Sequence, residues 1–153
     1  MNEMLRVPTV AIPATVLCGD GRRLDGEVFL PASAPMHAGP MRPDEWLHEP
    51  TPFFALRLAD GGSAFVNKLD VLAVTVAADD DPDPEDGGFG VEKGIVVECL
   101  GHRFEGTLVI DLPPDRRRVL DALNGPGDYL VLREADKHHF VRKTRITRAF
   151  EKA

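Results

Sequence analysis

At 153 residues, with 43% apolar and 28% charged side chains, the chain has the composition of an ordinary globular protein and room for one domain or two small ones. Its 14 glycines and 13 prolines argue against long helices, and no apolar run reaches the roughly 18 residues that cross a bilayer. The net charge of -7 is unevenly spread: residues 1–78 carry -3, residues 79–114 carry -8 and residues 115–153 carry +4, which disfavours general polyanion binding but leaves one basic tract.

The N-terminal residues, with Arg6 followed by Pro8 and Pro13, do not follow a signal-peptide plan, so a cytoplasmic location without membrane insertion is expected. The first clear pattern runs from Val16 to Pro31. Gly19, Asp20 and Gly21 form a tight-turn cluster, and Leu24, Gly26, Val28 and Leu30 then alternate with Arg23, Asp25, Glu27 and Phe29. Period two around a turn predicts a hairpin of residues 10–18 and 22–30 with one buried face. Glycine inside a strand weakens it, so Gly26 implies a bulge or a close approach of another backbone.

The stretch Ala32 to Trp46 is rich in Pro and Gly and carries Met36, Met41 and Trp46, which form a candidate protein-docking loop. Within it, Pro43 to Pro50 predicts a short helix with Pro43 in its first turn and Trp46 and Leu47 on its apolar side. Three strands then follow: Phe53 to Ala59, Ser63 to Lys68 after the turn at Asp60, Gly61 and Gly62, and Asp70 to Val76. From Asp79 to Gly90 the sequence holds six carboxylates within residues 79–86 together with Pro82 and Pro84, a linker composition. Asp79, Asp81 and Asp83 alternate as in a calcium loop, but the glycine and glutamate spacing of such a loop is missing.

The second half repeats the order. Val96 to Asp111 aligns without a gap on Val16 to Pro31, placing Gly101 on Gly21, Arg103 on Arg23 and Gly106 on Gly26. Val119, Leu120 and Leu123 predict a short helix that Asn124 and Gly125 stop. Tyr129 to Ala149 then follows Phe53 to Val74, with Phe140 on Phe65, Val141 on Val66, Lys143 on Lys68 and Ile146 on Val71.

The expected organisation is therefore mainly β: a unit at 7–78, an acidic linker at 79–90 and a unit at 91–152. Each unit is expected to be a five-stranded SH3-like or Sm-like small barrel with a short helix between its strands 2 and 3. The pattern LxGxVFLP from Leu24, the Trp46-Leu47 or Leu120–Asn124 helix, and Phe65 to Val74 together resemble an uncharacterised bacterial family of short proteins with duplicated small-barrel units. That resemblance implies architecture and almost nothing of function, the family having no established enzymatic activity or ligand. The Arg-Gly signature and base-facing Asp and Asn of Sm-like proteins are missing at Asn67 and Lys68 and in the loop after Leu30.

Chemistry-bearing residues are scattered. His138 and His139 fall at a predicted hairpin turn, His102 follows a turn glycine, and His37 could meet His48 across the loop without a third ligand. Cys18 and Cys99 are isolated and expected to stay thiols. No GxSxG, HExxH or phosphate-loop motif occurs, so no catalytic residue, metal or cofactor is assigned and a non-enzyme is expected. The basic tract of Arg116, Arg117, Arg118, Arg142, Lys143, Arg145 and Arg148 is a candidate polyanion surface. A protein-interaction or assembly module follows, with an unidentified protein or a second copy as partner; RNA or DNA binding is the less favoured alternative.

Overall fold

The computed structural model describes residues 8–82 and 90–152. The glycine-rich turn joins β1 (Thr9–Cys18) and β2 (Arg23–Pro31), whose register runs from Thr9 opposite Pro31 to Leu17 opposite Arg23. Helix α1 (Pro43–Leu47) then leads to β3 (Phe53–Leu58), β4 (Ser63–Asn67) and β5 (Val71–Ala77). The second half supplies β6 (Val91–Cys99), β7 (His102–Ile110), helix α2 (Val119–Asn124), β8 (Tyr129–Arg133), β9 (Lys137–Arg142) and β10 (Arg148–Glu151).

All ten strands belong to one antiparallel sheet, ordered β10-β6-β7-β8-β9-β5-β1-β2-β3-β4. The expectation of two tandem SH3-like or Sm-like barrels is overturned by this sheet, because β5 pairs with β9 from Ala73 opposite Val141 to Ala77 opposite Lys137. The resemblance to a bacterial family of duplicated closed units falls with it. Among the described residues the sheet stays open, with β10 at one end and β4 at the other.

The physical reason lies in β5. Its sequence Val-Leu-Ala-Val-Thr-Val is buried at every position except half-buried Thr75, and a strand covered on both faces belongs in the middle of a sheet. Val71, Val74 and Val76 enter one core with Trp46, Phe54 and Leu56, whereas Leu72 and Ala73 enter the other with Ile95, Val97 and Leu132. Strand β9 does the same, sending Phe140 into the first core and Val141 into the second. Neither half closes an interior of its own.

What the halves share is strand order and register. Val16 opposite Leu24 and opposite Val74 corresponds to Val97 opposite Phe104 and opposite Ala149; Phe54 opposite Val66 corresponds to Leu130 opposite Val141. The ungapped alignment of the first hairpins is thus corrected by one residue, with Cys18 matching Cys99. The turn absorbs the extra residue, with five residues between the paired Leu17 and Arg23 and four between the paired Glu98 and Arg103. Gly26 and Gly106 both sit where a neighbouring backbone comes close: an added Cβ would lie 2.3 Å from the Arg57 carbonyl oxygen and 2.9 Å from that of Arg133.

Candidate functional site

Three residues at the free end of the sheet stand out from the interior. Strand β4 carries no charged side chain along Ser-Ala-Phe-Val-Asn, and Phe53, Phe65 and Leu69 around it are 56%, 75% and 74% exposed. Val66 turns the other way, into the first core. The chain is held in this shape locally: Asn67 Oδ1 accepts from Leu69 N at 3.0 Å, and Gly19 N donates to the Asp70 carbonyl at 2.7 Å. A shallow groove of about 310 Å³ runs along this edge, lined among others by Asp20, Leu24, Ala64, Phe65 and Asp70. Cys18 also lines it, and burial, aided by Asp20 and Asp70, pushes its thiol pKa up. An unpaired strand with large apolar side chains and no charge lacks the usual protection against pairing with another chain.

The candidate docking trio does not form one surface. Met36 is exposed, but Met41 and Trp46 are buried in the first core. The Trp46 ring meets Phe54 edge-on at 4.8 Å, so α1 is a cover over that core. Lys68 Nζ donates to the carbonyls of Trp46 and Glu49 at 3.1 and 2.9 Å, satisfying the end of α1. Lys143 does the equivalent after α2, donating to Gly125 and Pro126 at 3.3 and 3.0 Å. Burial lowers the pKa of both lysines.

The basic tract is likewise dispersed. Arg117 Nε donates to the Leu112 carbonyl at 2.8 Å, and Arg118 is paired with Asp121 at 3.0 Å. Arg142 reaches across the joint between β9 and β5, donating to the carbonyls of Val71 and Lys68 and to Tyr129 Oη. Arg148 lies 3.7 Å from Glu98 on the exposed β10 edge, and Arg116 and Arg145 are exposed. Of the seven, Arg117, Arg118, Arg142, Lys143 and Arg148 thus have partners within the chain.

The histidines correct the sequence reading most. The turn lies at residues 134–136, and His138 and His139 are buried inside β9. His138 Nδ1 meets Asp81 Oδ2 at 2.7 Å; burial raises the Asp81 pKa even though His138 opposes the shift. His139 Nε2 meets Glu134 at 2.7 Å and its Nδ1 meets Thr75 Oγ1 at 2.8 Å. A hydroxyl, an imidazole and a carboxylate in that order suggest nucleophilic chemistry. Here, however, Thr75 and His139 are direct cross-strand partners, and their bond ties the two halves of the sheet. His37 and His48 go to different partners, Glu45 at 2.6 Å and the Asp44 carbonyl at 2.6 Å. The Ala38 carbonyl and then Glu45 hold the His37 pKa above its ordinary value. These pairings span 57 and 64 residues in the two β9 cases, and nothing local in the sequence announces them.

Asp81, expected in an acidic linker, is buried against His138; residues 83–89 of that linker lie outside the described residues. Among the described residues no group of three metal-ligating side chains forms, both cysteines are free thiols, and no helix is long and apolar enough to cross a membrane. Comparisons with protein-family models, curated proteins and solved structures find no match for this chain.

Proposed function

We propose that the chain is a non-catalytic protein-interaction or assembly module of the cytoplasm, and that its docking surface is the free β3–β4 edge. The observation that supports this reading is Phe65, an aromatic side chain 75% exposed on an uncharged, unpaired strand. Apolar side chains arranged beside open main-chain donors and acceptors suit strand addition, in which backbone hydrogen bonds supply affinity and side chains supply selection. The basic tract supports nucleic acid less, because Arg117, Arg118, Arg142 and Lys143 already donate within the chain.

The test compares the intact chain with Phe65→Glu as baits in a lysate of the source cell, with cross-linking before recovery. Proteins, including copies of the chain itself, recovered only by the intact bait and cross-linked within residues 53–69 support the reading. The same proteins on both baits overturn it. Labelled RNA and DNA form the third arm: binding that weakens steeply with salt and is lost when Arg116, Arg117 and Arg118 are neutralised would assign the chain to polyanions instead.

A further inference from the structure

Resting on that reading of the β4 edge, we infer that its partner is the β10 edge of a second copy, so that copies join head to tail. The pattern for this contact is already inside the chain. At the central joint, β9 lies against β5, and register makes β4 the counterpart of β9 and β10 the counterpart of β5. The two open ends of the sheet are therefore the two halves of the joint that the middle of the sheet has made.

Exposure supports the correspondence. Phe140, at the joint, is 1% exposed and Tyr129 8%, and both enter the first core with Val131 packed beside them. Their counterparts at the edge are Phe65 at 75%, Phe53 at 56% and half-buried Ala55. The same positions are filled with the same kind of side chain, and only the neighbouring strand is missing. At the other end, Phe150 on β10 is 50% exposed. Transferring the register of the joint places Arg148 opposite Val66, Ala149 opposite Phe65, Phe150 opposite Ala64 and Glu151 opposite Ser63 of the next copy.

Charge adds to the match at one point: in the transferred register Lys152 comes opposite Gly62, two residues from Asp60. The groove beside β4 is lined by Asp20, Asp70 and Arg22, and β10 carries both Arg148 and Glu151. A contact between different surfaces repeats, so it closes into a ring or runs on as a filament.

The test uses two variants that each add one thiol, Ser63→Cys and Glu151→Cys, both at exposed positions, with the unaltered chain as control for the buried native thiols. A short bifunctional thiol reagent should join the two variants in a mixture at least tenfold faster than either alone. Sedimentation of the unaltered chain should show concentration-dependent species that Phe65→Glu and, separately, Phe150→Glu return to monomer and that salt weakens. A monomer at every concentration, or cross-linking of Ser63→Cys to itself as fast as to Glu151→Cys, overturns the head-to-tail contact. A Phe65-dependent partner of another sequence in the lysate experiment would then leave the docking edge standing with a different occupant.

Discussion

Substituting Gly26 by Ala tests whether the spacing between β2 and β3 is set by the missing side chain. The new Cβ would sit 2.3 Å from the Arg57 carbonyl oxygen, 3.0 Å from its carbonyl carbon and 3.1 Å from Leu56 Cδ1. Carbon atoms meet comfortably at about 3.5–4.0 Å, so an overlap of roughly 1 Å must be relieved by separating strands. The obstructing atom is backbone, and β3 is itself fixed to β4 from Phe53 opposite Asn67 to Arg57 opposite Ser63. Overpacking of this kind costs about 1–3 kcal/mol, and here the upper end applies; the restricted unfolded chain returns about 0.4–1 kcal/mol. The expected net loss is about 2 kcal/mol, roughly a 30-fold fall in the folded-to-unfolded ratio. Gly106→Ala, whose nearest contact is 2.9 Å, should lose about half as much. Urea titration reads both as shifts of midpoint at constant slope. An unchanged midpoint for Gly26→Ala, or a larger loss for Gly106→Ala, would refute the steric account.

Phe140→Ala removes a side chain that β9 contributes to the first core, at an expected cost of about 3–5 kcal/mol. Because Trp46 is the sole tryptophan and lies in that core, its fluorescence should report the whole loss; an unmoved Trp46 transition would show the halves to be independent. For Asp81, burial raises the native pKa, so the native state holds this proton more tightly than the unfolded chain does. Its contribution is full below the unfolded value and is lost as pH rises through the raised native value. Asp81→Asn should flatten that fall in urea midpoints measured across the acidic range, and an identical pH profile would count against it. Lys68→Met leaves the carbonyls of Trp46 and Glu49 without their donor and should cost about 1–3 kcal/mol by the same titration, more than Lys143→Met because Lys143 is less buried.

Much of the local structure was legible. Alternation from Leu24 to Leu30 and the Gly19–Gly21 turn located the first hairpin, and both short helices fell where Pro43 and Asn124 mark an end. The pairing of Lys68 with Lys143 also came from pattern, and both close the end of a helix. The joining of the halves was not read, although a signal existed. The apolar run of β5 lacks the alternation of a strand with one wet face, and His138 and His139 precede Phe140 and Val141 without a turn residue. The segment from His138 to Lys143 was read as a strand, the counterpart of Ser63 to Lys68, but only as a member of its own half and not as the neighbour of β5. Trp46 was read on the apolar side of its helix and is buried there, but the burial of Met41 was not foreseen, because it lies in a Pro- and Gly-rich segment whose composition says nothing about the core beneath it.

The central joint and the two edges differ in one instructive way. At the joint, Arg142 donates to carbonyls of the first half and to Tyr129 Oη, and His139 bonds Thr75; at β4 the counterparts are Asn67, Phe53 and Ala64, which cannot make those bonds. The contact between copies is accordingly the internal joint without its polar side-chain ties, held by main-chain hydrogen bonds and apolar area, and it should be weaker and reversible. Restoring the ties should strengthen it. In Asn67→Arg combined with Phe53→Tyr, the new guanidinium would face the Lys143 and Ile146 carbonyls of the next copy, as Arg142 faces those of Lys68 and Val71. A hydrogen bond from a charged donor contributes about 1.5–3 kcal/mol, so association should tighten roughly tenfold or more by sedimentation. The prediction is specific to the register: a β4 edge that pairs with itself, or with a strand in another alignment, offers no carbonyls at that place, and the added charge would then weaken association or leave it unchanged.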